Sequence, residues 1–484
     1  IDLYRGILGS ANMYGRLFSS ETGAVGGHNY YFNMDEWTQL CYLQFVNGIN
    51  RTVFPGYSAI EGSEGDTYWP GHEGMYAFFS ERFNERQPAS EFYTEWTQML
   101  ARNQKALRQG NPSRDIAILR TDYNFINYGF ANGMDNFTNN YQMNDIPYYW
   151  NDYELQHNGY TYEYFSPQLL LDEENISWTA DALQPDGPNY QAIILYQETL
   201  ELDAAQKLLE IAQDGLPIVF ANNNTEMVAH DDTYAEHGEA ASKSPSLAYS
   251  DEEVQAVVAE IKALPNVKTV DSPADAMEAL QELGVYPRVQ FTEPTDTILT
   301  ISRDDAENGI YYTFAYNFKF QINEGDPATT EVLSIEGEGQ PYFIDDWTGE
   351  VTKAGEFEIR DGRTYVEVSL LPGEAVLMAI DMEETPAAHA ISTTADEAFI
   401  EDGAGMILAT ASGEYETVLD NGETVTTTIE VPEAISLPIW DITIEDWNEG
   451  DKVVNTEEKF GHTTTEVYYT TKKTELSFPQ SELV

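Results

Sequence analysis

The chain has 484 residues, with 83 Asp plus Glu against 24 Lys plus Arg, a formal charge of −59 and a pI near 4.1. That balance excludes binding a nucleic-acid backbone or an anionic membrane by charge and leaves a neutral partner such as a sugar compatible. A single cysteine, Cys41, excludes an intrachain disulfide, and no run of some 18 apolar residues is present to span a membrane. The length is enough for three or four domains of ordinary size. Starting at Ile1 without Met and ending on Val484, the chain reads as a portion of something longer.

In chain order, the first predicted unit is the stretch Arg16 to Tyr31. A short extended run ends in Glu21, and a glycine-rich loop follows that carries His28, Tyr30 and Tyr31. Asn33 then stands as a helix N-cap with Glu36 three residues on, and Trp37, Leu40, Cys41 and Phe45 recur at helical spacing up to the stop at Gly48. Another extended run, Arg51 to Phe54, completes a strand, loop, helix, strand pattern of one parallel β/α unit. In such units catalytic groups sit at the carboxyl ends of strands, which is where Glu21 falls. Cys41, on the apolar face, reads as a small buried hydrophobe.

A long connection from Pro55 to Pro88 holds Glu61, Glu64, Asp66, Trp69, His72 and Glu73, and connections of that length are usually functional or disordered. Its Trp69-Pro-Gly-His72 run offers an aromatic face and hydrogen-bonding groups suited to a pyranose. Packing of the loop onto its own domain accounts for the same residues equally well. Next comes a helix with Ser90 as N-cap, Phe92, Trp96, Met99, Leu100 and Leu107 on one face, and Gly110-Asn-Pro112 as its stop.

From Arg114 the period changes. Residues 115–119, 191–195 and 217–220 read as buried strands, with helices from Asp203 to Ala212, after the capping box Ser250 to Glu253, and from Ser272 to Gly284. This predicts a flavodoxin-like α/β domain over 114–287, with the aromatic stretch 125–167 as an excursion from it. Beyond Arg288 the runs 298–301, 310–316, 331–335, 365–370 and 375–380 alternate or stay apolar between turn residues, predicting a β-sandwich to about 385. A further β module follows over 386–484, with Trp440, Trp447, Tyr468 and Tyr469 read as core rather than binding aromatics.

Spacing for a zinc site, a P-loop, a dinucleotide fingerprint and a serine-nucleophile elbow are all absent. Carboxylate chemistry remains, and glycoside hydrolysis needs one carboxyl group as acid and another as base or nucleophile. On spacing alone a chain with 83 acids also places some at strand ends by chance.

The succession Phe18-Ser-Ser-Glu21, Val46 to Phe54, Trp69-Pro-Gly71, Arg86-Gln-Pro88, Ala101 to Gly110 and Arg114 to Ile118 resembles the later part of the catalytic region of glycoside hydrolase family 106, over about residues 14 to 120. Residues 190–195 and 214–219 also resemble the flavodoxin-like domain that follows the barrel in that group and in family 42 β-galactosidases. The resemblance implies a (β/α)8 barrel of which residues 1–113 are the C-terminal part, inverting hydrolysis of α-L-rhamnosides, and calcium. It makes Glu21 the base that activates water, with His28, Tyr30, Trp69 and His72 shaping the sugar subsite. The family's acid glutamate and earlier barrel strands would precede Ile1, supplied by an upstream segment or a partner chain. The sequence departs from the pattern at Pro55-Gly-Tyr57, where relatives often carry a histidine. The implied setting is extracellular or at the surface of a bacterium, with an oligo- or polysaccharide or other glycoside as partner and no nucleic acid or membrane insertion. The alternative reading is a non-catalytic carbohydrate-binding or assembly unit of a larger glycan-degrading protein.

Overall fold

The computed structural model describes residues 2–23, 32–54, 83, 88–121, 150–228, 233–319, 326–459 and 461–482. The chain is mixed α/β and rich in strands. It divides into two compact units, one of Ile1–Ser20, Thr38–Thr52 and Trp96–Thr428, the other of Glu21–Trp37, Val53–Glu95 and Ile429–Val484.

The first unit holds a five-stranded parallel sheet made of Ile116–Leu119, Tyr162–Phe165, Ala192–Leu195, Ile218–Ala221 and Val267–Val270. Counted along the chain, their order in space is 2-1-3-4-5. Every residue of the first four strands is buried, because helices cover both faces. The helices Leu202–Gln213 and Asp251–Lys262 pack Leu208, Ile211, Val254 and Ile261 into one core. The helix Ala276–Glu282 shares the other with Trp150 and Leu155. The Ser250 capping box forms as predicted, with both reciprocal hydrogen bonds present.

Two strands of this sheet escape the sequence pattern. Tyr162–Phe165 lies inside the stretch read as an excursion, and its burial is disguised by Glu163 and three aromatics. Val267–Val270 is an edge strand whose Lys268 and Thr269 break the apolar run.

The predicted strands beyond residue 288 all form. A four-stranded antiparallel sheet, ordered Val289–Phe291, Thr329–Glu336, Arg363–Leu370 and Glu358–Arg360, shares one apolar core with an eight-stranded sheet. The larger sheet contains Ile298–Asp305, Ile310–Asn317, Gln340–Ile344, Val351–Ala354 and Ala375–Asp381, and it also takes Asn111–Ser113 at one edge and Glu397–Glu401 with Ala404–Leu408 at the other. Asn111 and Pro112, expected with Gly110 to stop the helix, thus belong to a strand that pairs antiparallel with Ser302–Asp304. Pro112 is tolerated there because the strand is an edge.

In the helical part, Met34–Val46 buries Trp37, Leu40, Cys41 and Phe45 as expected. The second helix differs at its start: Pro88–Phe92 is a 3-10 turn and the α-helix is Tyr93–Ala106. Trp96, Met99, Leu100 and Leu107 are buried, but Phe92 is exposed, since a turn of three residues sets it off the stripe.

The second unit includes a two-stranded ribbon, Ile439–Lys459 against His462–Glu482. Trp440 is 45% exposed there, against the reading of it as core, because a two-stranded ribbon has no interior. No helix among the described residues is long and apolar enough to cross a membrane.

Candidate active site

The strand Ser19–Glu21 shares a two-stranded sheet with Arg51–Val53. Its entry is fixed by a reciprocal pair: the Phe18 N–H donates to Asn50 Oδ1 at 3.2 Å and the Asn50 N–H to the Phe18 carbonyl at 3.1 Å. Ser20 Oγ donates to Gln44 Oε1 at 2.8 Å. At the exit the Thr22 N–H donates to the Val53 carbonyl at 2.7 Å, and Thr22 is 1% exposed. Glu21, the residue before it, is exposed, and its carboxylate has no hydrogen bond or ion pair among the described residues.

Gly23, the residue after Thr22, has φ +107, in the region that favours glycine. The glycine sits on an aromatic cluster. Trp37 packs against Phe32 at 5.0 Å between ring centroids and Phe83 at 5.5 Å, and Phe83 meets Phe54 at 5.0 Å and Tyr93 at 6.2 Å. Local sequence explains the seat of Trp37. The Asn33 N–H donates to Glu36 Oε2 at 2.7 Å and the Glu36 N–H to Asn33 Oδ1 at 2.9 Å, which is the capping box read from sequence. Phe32 before the cap then meets Trp37 in the next turn as a hydrophobic staple.

Of the predicted site residues, Glu21 stands at its strand end as expected. His28, Tyr30, Trp69 and His72 lie outside the described residues, as do Pro55 to Tyr57 and the loop acids Glu61, Glu64, Asp66 and Glu73. Phe32, Phe54 and Phe83 were not singled out by sequence reasoning. The signal for them was their position beside Asn33, beside the strand exit and within the long aromatic connection. Among the described residues no group of three or more His, Cys, Asp or Glu gathers to hold a metal.

Three other carboxylates each gather several donors. Glu163, 1% exposed, accepts from Arg114 Nε at 2.7 Å, from Asn12 at 2.7 and 2.8 Å and from the Tyr190 hydroxyl at 2.7 Å. Burial, and after it the adjacent Glu163, pushes the Tyr190 hydroxyl well above the usual phenol range. Beyond the carboxyl ends of the parallel strands, Glu226 is bound by Arg120, by the Tyr196 hydroxyl at 3.0 Å, by Gln197 Nε2 at 3.1 Å and by His237 Nε2 at 2.7 Å. Asp346, missed in the sequence, ties two helices to a turn: it accepts from Tyr42 at 2.7 Å and Asn103 at 2.6 Å, while Arg102 donates to its backbone carbonyl at 2.9 Å.

The sequence model of the alpha-L-rhamnosidase family, glycoside hydrolase family 106, matches residues 4–322, more than half of the chain. Among solved structures, a rhamnosidase from Novosphingobium sp. PP1Y aligns with TM-score 0.55 at 15% identity, covering 99% of this chain and 45% of its own. An alpha-L-fucosidase isoenzyme 2 from Paenibacillus thiaminolyticus aligns with TM-score 0.43 at 10% identity, covering 79% of this chain and 63% of its own. An apo exo-carrageenase GH42 from Bacteroides ovatus aligns with TM-score 0.38 at 13% identity over 74% of this chain and 40% of its own. The chain therefore spans less than half the length of the rhamnosidase it resembles in fold. No curated protein matches it.

Proposed function

Because this chain belongs to the alpha-L-rhamnosidase family, glycoside hydrolase family 106, we propose that it is a glycosidase, or the C-terminal portion of one, that hydrolyses a terminal sugar such as α-L-rhamnose with Glu21 as general base. The observation that carries the reading is Glu21 itself: an exposed carboxylate at a strand end, held by a buried threonine and a glycine turn over an aromatic cluster. In this reading Glu21 takes a proton from water as its oxygen attacks the anomeric carbon, while a second carboxyl group protonates the departing glycosidic oxygen. That acid comes from the loop acids between residues 61 and 73 or from a segment or partner chain that completes the barrel. His28, Tyr30, Trp69 and His72 shape the sugar subsite.

The strands 19–21 and 51–53 are read as the tail of a (β/α)8 barrel. The 2-1-3-4-5 order supports a flavodoxin-like description of the parallel domain, and the shared core of the two later sheets supports a sandwich. Calcium and an extracellular or cell-surface setting in a bacterium are carried by family likeness and by acidity. The test is release of p-nitrophenol from aryl α-L-rhamnoside by the chain and by its Glu21→Gln variant, with and without chelator. Turnover lost with sugar binding retained is expected. Variant and parent alike in both would overturn Glu21 as the base, and sugar binding without turnover in both, with the segment that completes the barrel present, would favour a binding or assembly unit.

A further inference from the structure

We propose that Gly23 is a positioning residue: with Thr22 it forms a fixed pivot, seated on Phe83 and Trp37, that sets the direction in which Glu21 presents its carboxylate. The inference rests on the reading of Glu21 as base and adds a part of the machinery that no carboxylate count would reveal.

Three observations meet at the pivot. The Thr22 N–H is bound to the Val53 carbonyl at 2.7 Å and the residue is 1% exposed, so the backbone immediately after Glu21 is anchored on the neighbouring strand. The next residue, Gly23, sits at φ +107, a conformation L side chains rarely adopt. A Cβ added at Gly23 would lie 2.9 Å from Phe83 Cε2, 3.3 Å from its Cζ and 3.6 Å from Trp37 Cη2, so the turn rests on the rings with no room for a methyl group. The rings are themselves held in place. Trp37 is fixed by the Asn33–Glu36 capping box and by Phe32, and Phe83 by Phe54 and Tyr93 on its other sides.

A carboxylate three bonds beyond the strand backbone takes its starting direction from that backbone. If the turn after it shifts by an ångström, the base no longer meets the attacking water in line. Misplacement of that size costs on the order of a hundredfold in rate while leaving the contacts that bind the sugar in place.

The experiment compares Gly23→Ala and Phe83→Ala with the parent and with Glu21→Ala on p-nitrophenyl α-L-rhamnoside, with and without sodium azide. Azide attacks the anomeric carbon without a base, forming a C–N bond as the C–O bond to nitrophenolate breaks, and this leaving group needs no proton. The expected result is kcat lowered about 10- to 100-fold in both pivot variants with KM little changed, and recovered about tenfold or more by azide, as in Glu21→Ala. A partly unfolded enzyme would lose kcat with no such recovery. Phe83→Leu, which keeps an apolar side chain under the glycine and adds no Cβ to the turn, is the variant that folds if the others do not, and it is expected to fall between them and the parent. Full activity of Gly23→Ala and Phe83→Leu beside an inactive Glu21→Ala overturns the pivot alone, and so does a loss that azide does not restore. Full activity of Glu21→Ala, or no turnover by any form with the segment that completes the barrel present, overturns the base reading and the pivot with it.

Discussion

Glu21 and Glu163 are the same side chain on two short strands, in regions of the molecule that use it in opposite ways. Glu163 belongs to the parallel sheet, is 1% exposed, and has both oxygens occupied by Arg114, Asn12 and Tyr190. A charge taken out of water persists only when it is paired and hydrogen-bonded, so that carboxylate is committed to holding the N-terminal helix Leu8–Met13 and the strand at 192–195 to its own strand. Glu21 is exposed at the end of a three-residue strand, and what is fixed there is the backbone around it. The contrast teaches that in a chain with 83 acids, the number of partners a carboxylate has already satisfied separates architecture from chemistry better than its position on a strand.

The sharpest break of that contrast is a pair of isosteric changes. Glu21→Gln should lower kcat about 10²- to 10⁴-fold, the usual worth of a general base, while leaving the melting temperature where it was. Parallel kinetics and calorimetry check both halves, and a melting temperature that falls along with activity would move Glu21 into the structural class. Glu163→Gln should do the reverse. It leaves the Arg114 guanidinium buried beside a neutral amide, and breaking a buried pair in this way costs about 3–5 kcal/mol. Denaturant unfolding would measure it, and a cost under about 1 kcal/mol would show that the cluster is not holding the sheet.

A smaller effect separates a third kind of carboxylate. Asp152 is 1% exposed and caps the helix Tyr153–His157, accepting from the Glu154 N–H at 2.9 Å, and its Oδ2 has no hydrogen-bond partner. Burial outweighs the backbone hydrogen bonds and pushes it up to about 7. The folded chain then keeps a proton that the unfolded chain has released above about pH 4, so this residue makes stability fall as pH rises from about 4 to 7 and level off beyond. Asp152→Asn retains a good N-cap and removes the titration. It should match the parent below pH 4 and exceed it by about 2 kcal/mol at pH 8, less than the full shift implies because the parent side chain relaxes toward water. Unfolding midpoints at pH 4, 6 and 8 test this, and parallel pH dependence in the two proteins would refute it.

What could be read without coordinates follows the same division. The parallel strands at 116–119, 192–195 and 218–221 announced themselves because burial on both faces leaves only apolar residues. The strand at 162–165 did not, because its buried Glu163 is satisfied by groups at residues 12, 114 and 190, and no local pattern encodes a partner that distant. Asp346 was hidden for the same reason, its donors lying on helices some 240 to 300 residues earlier. At the candidate site, the strand end at Glu21 and the Asn33 cap were legible because each is a local signal. Phe83 and Phe54, which meet only when the chain folds, were not.

The smallest change tests whether that local signal matters to the site. Asn33→Ala removes the acceptor for the Glu36 N–H and leaves the first turn of the helix Met34–Val46 with an open donor, a loss of about 1 kcal/mol. Asn33→Ser keeps an acceptor of similar reach and should cost little. The difference between the two lies in one hydrogen bond beneath Trp37. If the staple and the cap together seat the ring on which the Gly23 turn rests, Asn33→Ala should lower kcat by more than its modest loss of melting temperature accounts for, and Asn33→Ser should restore it. Equal activity in the two variants at unequal stability would mean that the rings hold the turn without help from the helix start, and that the aromatic cluster, more than the cap, carries the geometry of Glu21.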